Sequence, residues 1–249
     1  LGIGAGLDKE GKYFASLGSL GFGFVEVGTF TPLAQSGNDR PRIKRINKEK
    51  SLINRLGFNN PGILQAVKNI RSNKNSFKGI LGVSIGKNKN TKLEEAHKDY
   101  VFCLEKCFEI SDYIAINISS PNTVDLRKLS SEEYFENLLV EINHCHESLE
   151  KKHQKKVPLL LKLSPDELDK NLEKIIEVSC EKKISGFILS NTTQGTYEGL
   201  NGGISGPLLK EKSLSLLKKV NSLIDDDLLL IASGGVTTKN DLEERLDNG

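Results

Sequence analysis

Short, unbroken apolar runs alternate along this chain with stretches in which apolar residues recur every three or four positions. The first pattern marks buried strands and the second marks helices packed along one face. Strands are expected at Leu1 to Gly6, Phe24 to Phe30, Ile80 to Ile85, Tyr113 to Ile116, Pro158 to Leu163, Gly186 to Ser190 and Leu228 to Ala232. Helices follow each: through Tyr13, Leu17 and Leu20; from Pro61, whose missing N–H suits a first turn; from Leu93 to Phe108; from Glu132 to Lys152; through Leu168, Leu172, Ile175 and Ile176; through Leu209, Leu216, Leu217 and Val220; and up to about Leu246. Arg42 to Leu56 alternates in character and predicts a hairpin, whereas Gly199 to Gly206 predicts a glycine-rich loop.

Seven strand–helix pairs in strict alternation specify parallel α/β structure. Strands that are apolar throughout fit a sheet covered on both faces or closed on itself. The expected fold is a single-domain (β/α)8 TIM barrel over residues 1–249, lacking its eighth strand–helix unit. A doubly wound open sheet fits less well, because polar residues end nearly every strand rather than the two beside a switch point. The chain starts inside a strand and contains no Met, so a fragment or the ordered part of a longer protein is expected.

Composition changes this picture little. Of the 249 residues 37% are hydrophobic and 27% charged, as in a water-facing globular protein, and a formal net charge of +2 gives no case for nucleic acid. Cys103 and Cys107 share a helix face with Ala96, Tyr100, Leu104 and Phe108, so they read as core residues rather than zinc ligands. His144 and His146 diverge around their helix. No metal site and no disulfide framework are expected.

The chemistry gathers at the strand ends. Asn117-Ile118-Ser119-Ser120-Pro121-Asn122-Thr123 closes the fourth strand with amides and hydroxyls, and Pro121 forbids further sheet pairing. In a barrel all such ends converge on one mouth. Collected there are Lys9, Thr29, Asn54, Ser84, Asn117, Ser120, Asn122, Lys162, Asn191, Thr192, Ser205, Gly206, Gly234 and Gly235, with no His and with Asp8 as the nearest acid. Such a set argues against paired-carboxylate hydrolysis and against a Ser-His-Asp triad. It suits a flat, hydrogen-bonding heterocycle held by neutral groups and one or two cations. The glycines after the sixth and seventh strands would let backbone N–H groups approach a phosphate. Lys162 interrupts a strand of Leu and Pro, which leaves three readings: a Schiff-base amine, a cation beside an anionic cofactor, or one half of a buried ion pair.

With these motifs assembled (Ala5 to Lys9, Phe22 to Thr29, Ile53 to Arg55, Gly57 to Asn60, Gly86 to Lys89, Asn117 to Thr123, Lys162, Asn191 to Thr193, Gly202 to Gly206 and Ser233 to Gly235) the chain resembles the class 2, quinone-dependent dihydroorotate dehydrogenases. Ser84 and the Ala232-Ser233-Gly234-Gly235 form are similar to the enzymes of protozoan parasites. The resemblance implies FMN as cofactor, oxidation of (S)-dihydroorotate to orotate in pyrimidine biosynthesis, and ubiquinone as acceptor. It also implies placement at the mitochondrial inner membrane through an N-terminal helical segment outside these residues. Ser120 is then the base at C5, the serine being the class marker, with Thr123 and Phe58 shaping a proton exit. Lys9, Asn54, Asn117, Asn122, Asn191 and Thr192 hold substrate. Lys162 faces the charge that develops on reduced flavin. Ala5, Gly6, Lys9, Thr29, Ser84, Asn117 and Ser190 line the flavin, and Ser205, Gly206, Gly234 and Gly235 take its phosphate. A Schiff-base lyase using Lys162 and a barrel that binds a ligand without turnover are the rival readings.

Overall fold

The computed structural model describes residues 1–123, 126–130, 132–225 and 227–249, with backbone alone at 132 and 133. Among the described residues, seven parallel strands form one curled sheet in the order β1 (Gly2–Ile3), β2 (Phe24–Phe30), β5 (Ile80–Ile85), β6 (Tyr113–Asn117), β7 (Leu159–Lys162), β8 (Gly186–Leu189) and β11 (Leu229–Ala232). Spatial order follows chain order, with no switch point, so this is the arc of an α/β barrel and not a doubly wound sheet. Helices α1 (Phe14–Gly18), α2 (Ile63–Asn73), α3 (Ala96–Cys107), α4 (Glu132–His153), α5 (Asp169–Glu181), α6 (Lys210–Asn221) and α7 (Lys239–Leu246) occupy the predicted places.

Two side-chain periods explain the layers. On α2 the buried residues are Ile63, Ala66, Val67 and Ile70, and on α3 Ala96, Tyr100, Cys103, Leu104 and Cys107. These stripes meet the outward residues of the strands, Val25, Val27, Leu81, Val83, Ile85, Ile114, Ile116, Leu159, Leu161, Phe187 and Leu189, in one core. Cys103 and Cys107 belong to it, and burial pushes both thiols up from their ordinary range. The alternate, inward residues Tyr113, Ala115, Leu160 and Ile188 form a second, smaller cluster with Phe24 and Ile231. Two residues further along β2, β6 and β7 the inward positions turn polar: Glu26, Asn117 and Lys162.

A second sheet caps the mouth. The expected hairpin is β3 (Ile43–Ile46) paired with β4 (Ser51–Asn54). The glycine-rich stretch departs from expectation. It is no loop but the strand β10 (Leu200–Ser205), paired with both β9 (Thr193–Tyr197) and β4 to give the antiparallel order β3-β4-β10-β9. Glycines weaken a strand in isolation and mask it in the sequence. Here they permit close approach: a Cβ on Gly202 would lie 2.2 Å from the Asn54 carbonyl oxygen, and one on Gly203 would lie 2.0 Å from Thr192 Oγ1.

Candidate active site

Each strand end delivers its polar group for a local reason. After β1, the Asp8 carboxylate is buried and accepts five backbone N–H bonds, from Glu10, Gly11 and Lys12 on Oδ1 and from Tyr13 and Phe14 on Oδ2. This anion at the start of α1 folds the loop tightly and fixes Lys9 at the mouth. Asp8 is therefore an anchor, not an acid catalyst. From β2, Thr29 Oγ1 accepts from Asn117 Nδ2 at 2.9 Å and shares a 2.9 Å bond with Ser84 Oγ. From the capping sheet, the register of β4 with β10 sets Asn54 opposite Gly203, whose carbonyl it meets through Nδ2 at 3.3 Å.

These groups converge on a cavity of about 110 Å³ lined by Ala5, Gly6, Lys9, Thr29, Asn54, Leu56, Gly57, Phe58, Asn117, Ser120, Asn122, Lys162, Asn191 and Thr192. All four expected catalytic or proton-path positions lie here or beside it. Ser120 Oγ accepts the Asn122 N–H at 3.3 Å, and the buried Thr123 hydroxyl has no hydrogen-bond partner among the described residues. Phe58 is buried with φ 52, a left-handed conformation that turns the chain at the cavity wall. The amides form a relay of their own: Asn122 Nδ2 donates to Asn54 Oδ1 at 3.0 Å, and Asn191 Nδ2 donates to Ser119 Oγ at 3.1 Å and Asn117 Oδ1 at 3.4 Å.

Lys162 is resolved as an ion pair. Its Nζ lies 3.2 Å from Glu26 Oε1, with side-chain exposures of 7% and 2%. Glu26 Oε1 also accepts the Ala5 N–H at 3.2 Å, and Oε2 accepts the Tyr113 hydroxyl at 3.1 Å. Glu26 lies within the Phe22 to Thr29 motif but drew no role from the sequence, because it sits mid-strand, three residues before the strand-end Thr29. The signal available was a lone acid in an apolar run, matching the lone base in Lys162. Lys9 contrasts with it: burial, reinforced by Lys162 and then Arg42, pushes its ammonium down to about 8. A cation disfavoured this way is poised for an anionic ligand.

A second cavity, of about 540 Å³, lies between β1 and β11; it is lined by the apolar Phe24, Leu230 and Ile231 as well as by Gly4, Gly206, Ser233, Gly234, Gly235 and Thr237, and it reaches Glu26, which bonds Ala5 and Lys162 of the first cavity. Gly206, Gly234 and Gly235 have φ of 94°, 95° and 71°. Three of the expected phosphate residues thus come together. Ser205 lies at the end of β10, while Ser84 and Ser190 are buried behind the wall, Ser84 against Thr29 and Ser190 donating to the Asn191 carbonyl. The two cavities together suit a flat ring carrying a phosphate tail. Beside Gly6 (φ 117°) a Cβ would meet nothing within 4 Å, so backbone is open to a ring face. The amides, hydroxyls and ammonium groups suit ring heteroatoms, and the glycine turns suit the tail. Among the described residues no cluster of His, Cys, Asp or Glu could hold a metal ion.

The sequence matches the dihydroorotate dehydrogenase family model over residues 1–249. It is 42% identical to the dihydroorotate dehydrogenase (quinone) of Vibrio atlanticus, over all of this chain and 76% of that protein. The enzyme of the same name from Buchnera aphidicola is 44% identical, over 99% of this chain and 75% of that one. Among solved structures, dihydroorotate dehydrogenase of Eimeria tenella, in complex with ferulenol and ligand-free, superposes with TM-scores of 0.91 at 32% identity, over all of this chain. The Schiff-base lyase and the non-catalytic barrel are not favoured by these relatives. The Vibrio and Buchnera relatives are bacterial and do not carry the mitochondrial placement, and no described helix is long and apolar enough to cross a membrane. Fold, strand-end chemistry and kinship agree: this chain belongs to the dihydroorotate dehydrogenase family.

Proposed function

We propose that Ser120 and the groups around the 110 Å³ cavity carry out the oxidation of (S)-dihydroorotate to orotate that defines this family, with a quinone as final acceptor. The reaction forms the C5=C6 double bond as C5 loses a proton and C6 a hydride; FMN, the family's cofactor, accepts that hydride when bound. Ala5, Gly6, Lys9, Thr29, Asn117 and Lys162 would hold its ring, and Ser205, Gly206, Gly234 and Gly235 its phosphate, with the buried Ser84 and Ser190 supporting the ring site from behind.

The residues divide the remaining work. Asn54, Asn117, Asn122, Asn191 and Thr192 supply donors and acceptors in a fixed relay, which orients a planar uracil-like ring and limits its approach. Lys9 offers its ammonium to the substrate carboxylate. Lys162, held by Glu26, keeps positive charge where electron density arrives. Ser120 takes the C5 proton on Oγ as its own hydroxyl proton passes on; the Thr123 hydroxyl, which lines the larger outer cavity together with Ser120, relays it by accepting that proton and releasing its own to the solvent there. No His lines the cavity, which accords with a serine that works through a short hydroxyl relay rather than a triad. Ubiquinone, and attachment to a membrane (mitochondrial or bacterial), complete the proposal by kinship with proteins named for quinone. The observation that carries the reading is Ser120 at the wall of the cavity that both lysines share. Its test is an anaerobic visible spectrum of the FMN-bound protein before and after dihydroorotate. Prompt bleaching that slows at least about 100-fold in Ser120→Ala is expected; a flavin that stays oxidised in the unaltered protein overturns the substrate.

A further inference from the structure

Arg127 and Asp166 line no part of the inner cavity, yet they connect three loops that build it. Arg127 follows the Ser120 loop in a short 3-10 turn (Leu126–Ser130). Its Nε donates to the Ser119 carbonyl at 3.1 Å, and its Nη2 donates to the Thr192 carbonyl at 3.4 Å. Its Nη1 pairs with Asp166 Oδ2 at 3.3 Å, the two side chains being only 22% and 17% exposed. Asp166, beyond β7, also accepts from the Thr193 hydroxyl, the Gln194 N–H at 2.8 Å and Lys212 Nζ at 2.9 Å. Burial pushes the Asp166 carboxyl up, but the bonds from Thr193, Lys212 and Gln194 outweigh it and hold the group below its ordinary value. The pair is therefore a charged clamp on the backbone next to Ser120 and on that of Thr192.

We infer that Arg127 is a positioning residue for the proton-abstraction step: braced by Asp166, it seats the Ser120 loop at the distance the C5 proton requires. This rests on the reading of Ser120 given above. The guanidinium suits the role because its planar fork reaches three acceptors at fixed angles, which a lysine cannot. Arg127 also lines a larger outer cavity of about 960 Å³ that shares Ser120 and Asn122 with the inner one. The clamp thus stands where the Ser120 loop separates solvent from substrate, and releasing it moves the base without removing any group that touches the ring.

The test uses the FMN-bound protein and stopped-flow bleaching by dihydroorotate, unlabelled and deuterated at C5 or at C6. Arg127→Met is expected to slow bleaching about 10- to 100-fold, as a misplacement of order 1 Å does, and to raise the C5 isotope effect relative to the C6 effect. Asp166→Asn, which keeps shape, is expected to shift both in the same direction, and the double variant to be no slower than Arg127→Met. An unchanged bleaching rate overturns the inference. So does slowing in which the C5 and C6 effects keep their ratio, which marks a general structural role. If Arg127→Met loses FMN, Asp166→Asn alone decides by the same ratio. Failure of the unaltered protein to bleach overturns the dihydroorotate reading instead, so the two failures are distinct.

Discussion

Glu26→Ala removes a carboxylate that takes three hydrogen bonds inside the barrel: from Lys162 Nζ, the Ala5 N–H and the Tyr113 hydroxyl. Lys162 is left as a cation with 7% side-chain exposure and no counter-charge. Breaking one partner of such a buried pair costs about 3–5 kcal/mol, most of it the desolvation of the survivor. For a chain of this size about 1 kcal/mol moves the melting temperature by roughly 2–4 °C, so a fall of roughly 6–20 °C is expected. Glu26→Gln separates charge from shape. Its Oε1 can still accept from Lys162 and Ala5, and its amide can donate to the Tyr113 oxygen, so a smaller loss than for Glu26→Ala is expected. Adding Lys162→Met to Glu26→Ala removes the stranded cation and should recover much of the stability. Thermal and urea denaturation of the unaltered protein, Glu26→Ala, Lys162→Met alone and the double variant closes a double-mutant cycle. If the double variant is as unstable as the two single losses added together, the residues are not coupled and the reasoning fails. Because the Tyr113 hydroxyl sits against this carboxylate, burial and the Glu26 charge push its ionisation well up, so no tyrosinate contributes at any working pH.

Two further perturbations test the rest of the site. Lys9→Met should stabilise the ligand-free protein at pH 7, since the native pKa of about 8 is below the usual lysine value and the cation is the disfavoured form. The unfolded chain then binds more protons between about pH 8 and 10.4, so native stability rises over that window and the advantage of the variant shrinks; melting curves at pH 7 and 9.5 read this, and a constant gap refutes it. Gly235→Ala places a Cβ 2.5 Å from Lys210 Cα at φ 71, so the turn must shift. FMN retention on gel filtration should fall while riboflavin, which lacks the phosphate, binds as before; equal loss of both removes the turn from the phosphate site.

The strand–helix alternation was legible because each element carries its own period: unbroken apolar runs for strands buried on both faces, and stripes such as Ile63, Ala66, Val67 and Ile70 for the helices. The candidate site was legible in the same way, since polar residues that end apolar strands must meet at one mouth once the sheet curls. What one-dimensional reading could not supply depends on partners distant in sequence. β10 is a strand because β4 and β9 offer it backbone partners, with Gly203 opposite Asn54; its glycines alone argue for a loop. Lys162 was recognisable as a charge in the wrong place, but its partner lies 136 residues away on β2, and only the curl of the sheet brings Glu26 to it. Asp8, the acid nearest the mouth, proves to be an anchor, because its lone pairs are spent on five N–H groups of the next turn. Arg127 and Asp166 carry no motif signal, since a surface-type ion pair becomes a clamp only when three loops lie side by side. Local periodicity and strand-end polarity thus determined the class of fold and the residues at its mouth. Which of those residues pair, anchor or stay free was decided by long-range packing, where hydrogen-bond partners and buried charges are matched in space rather than in order.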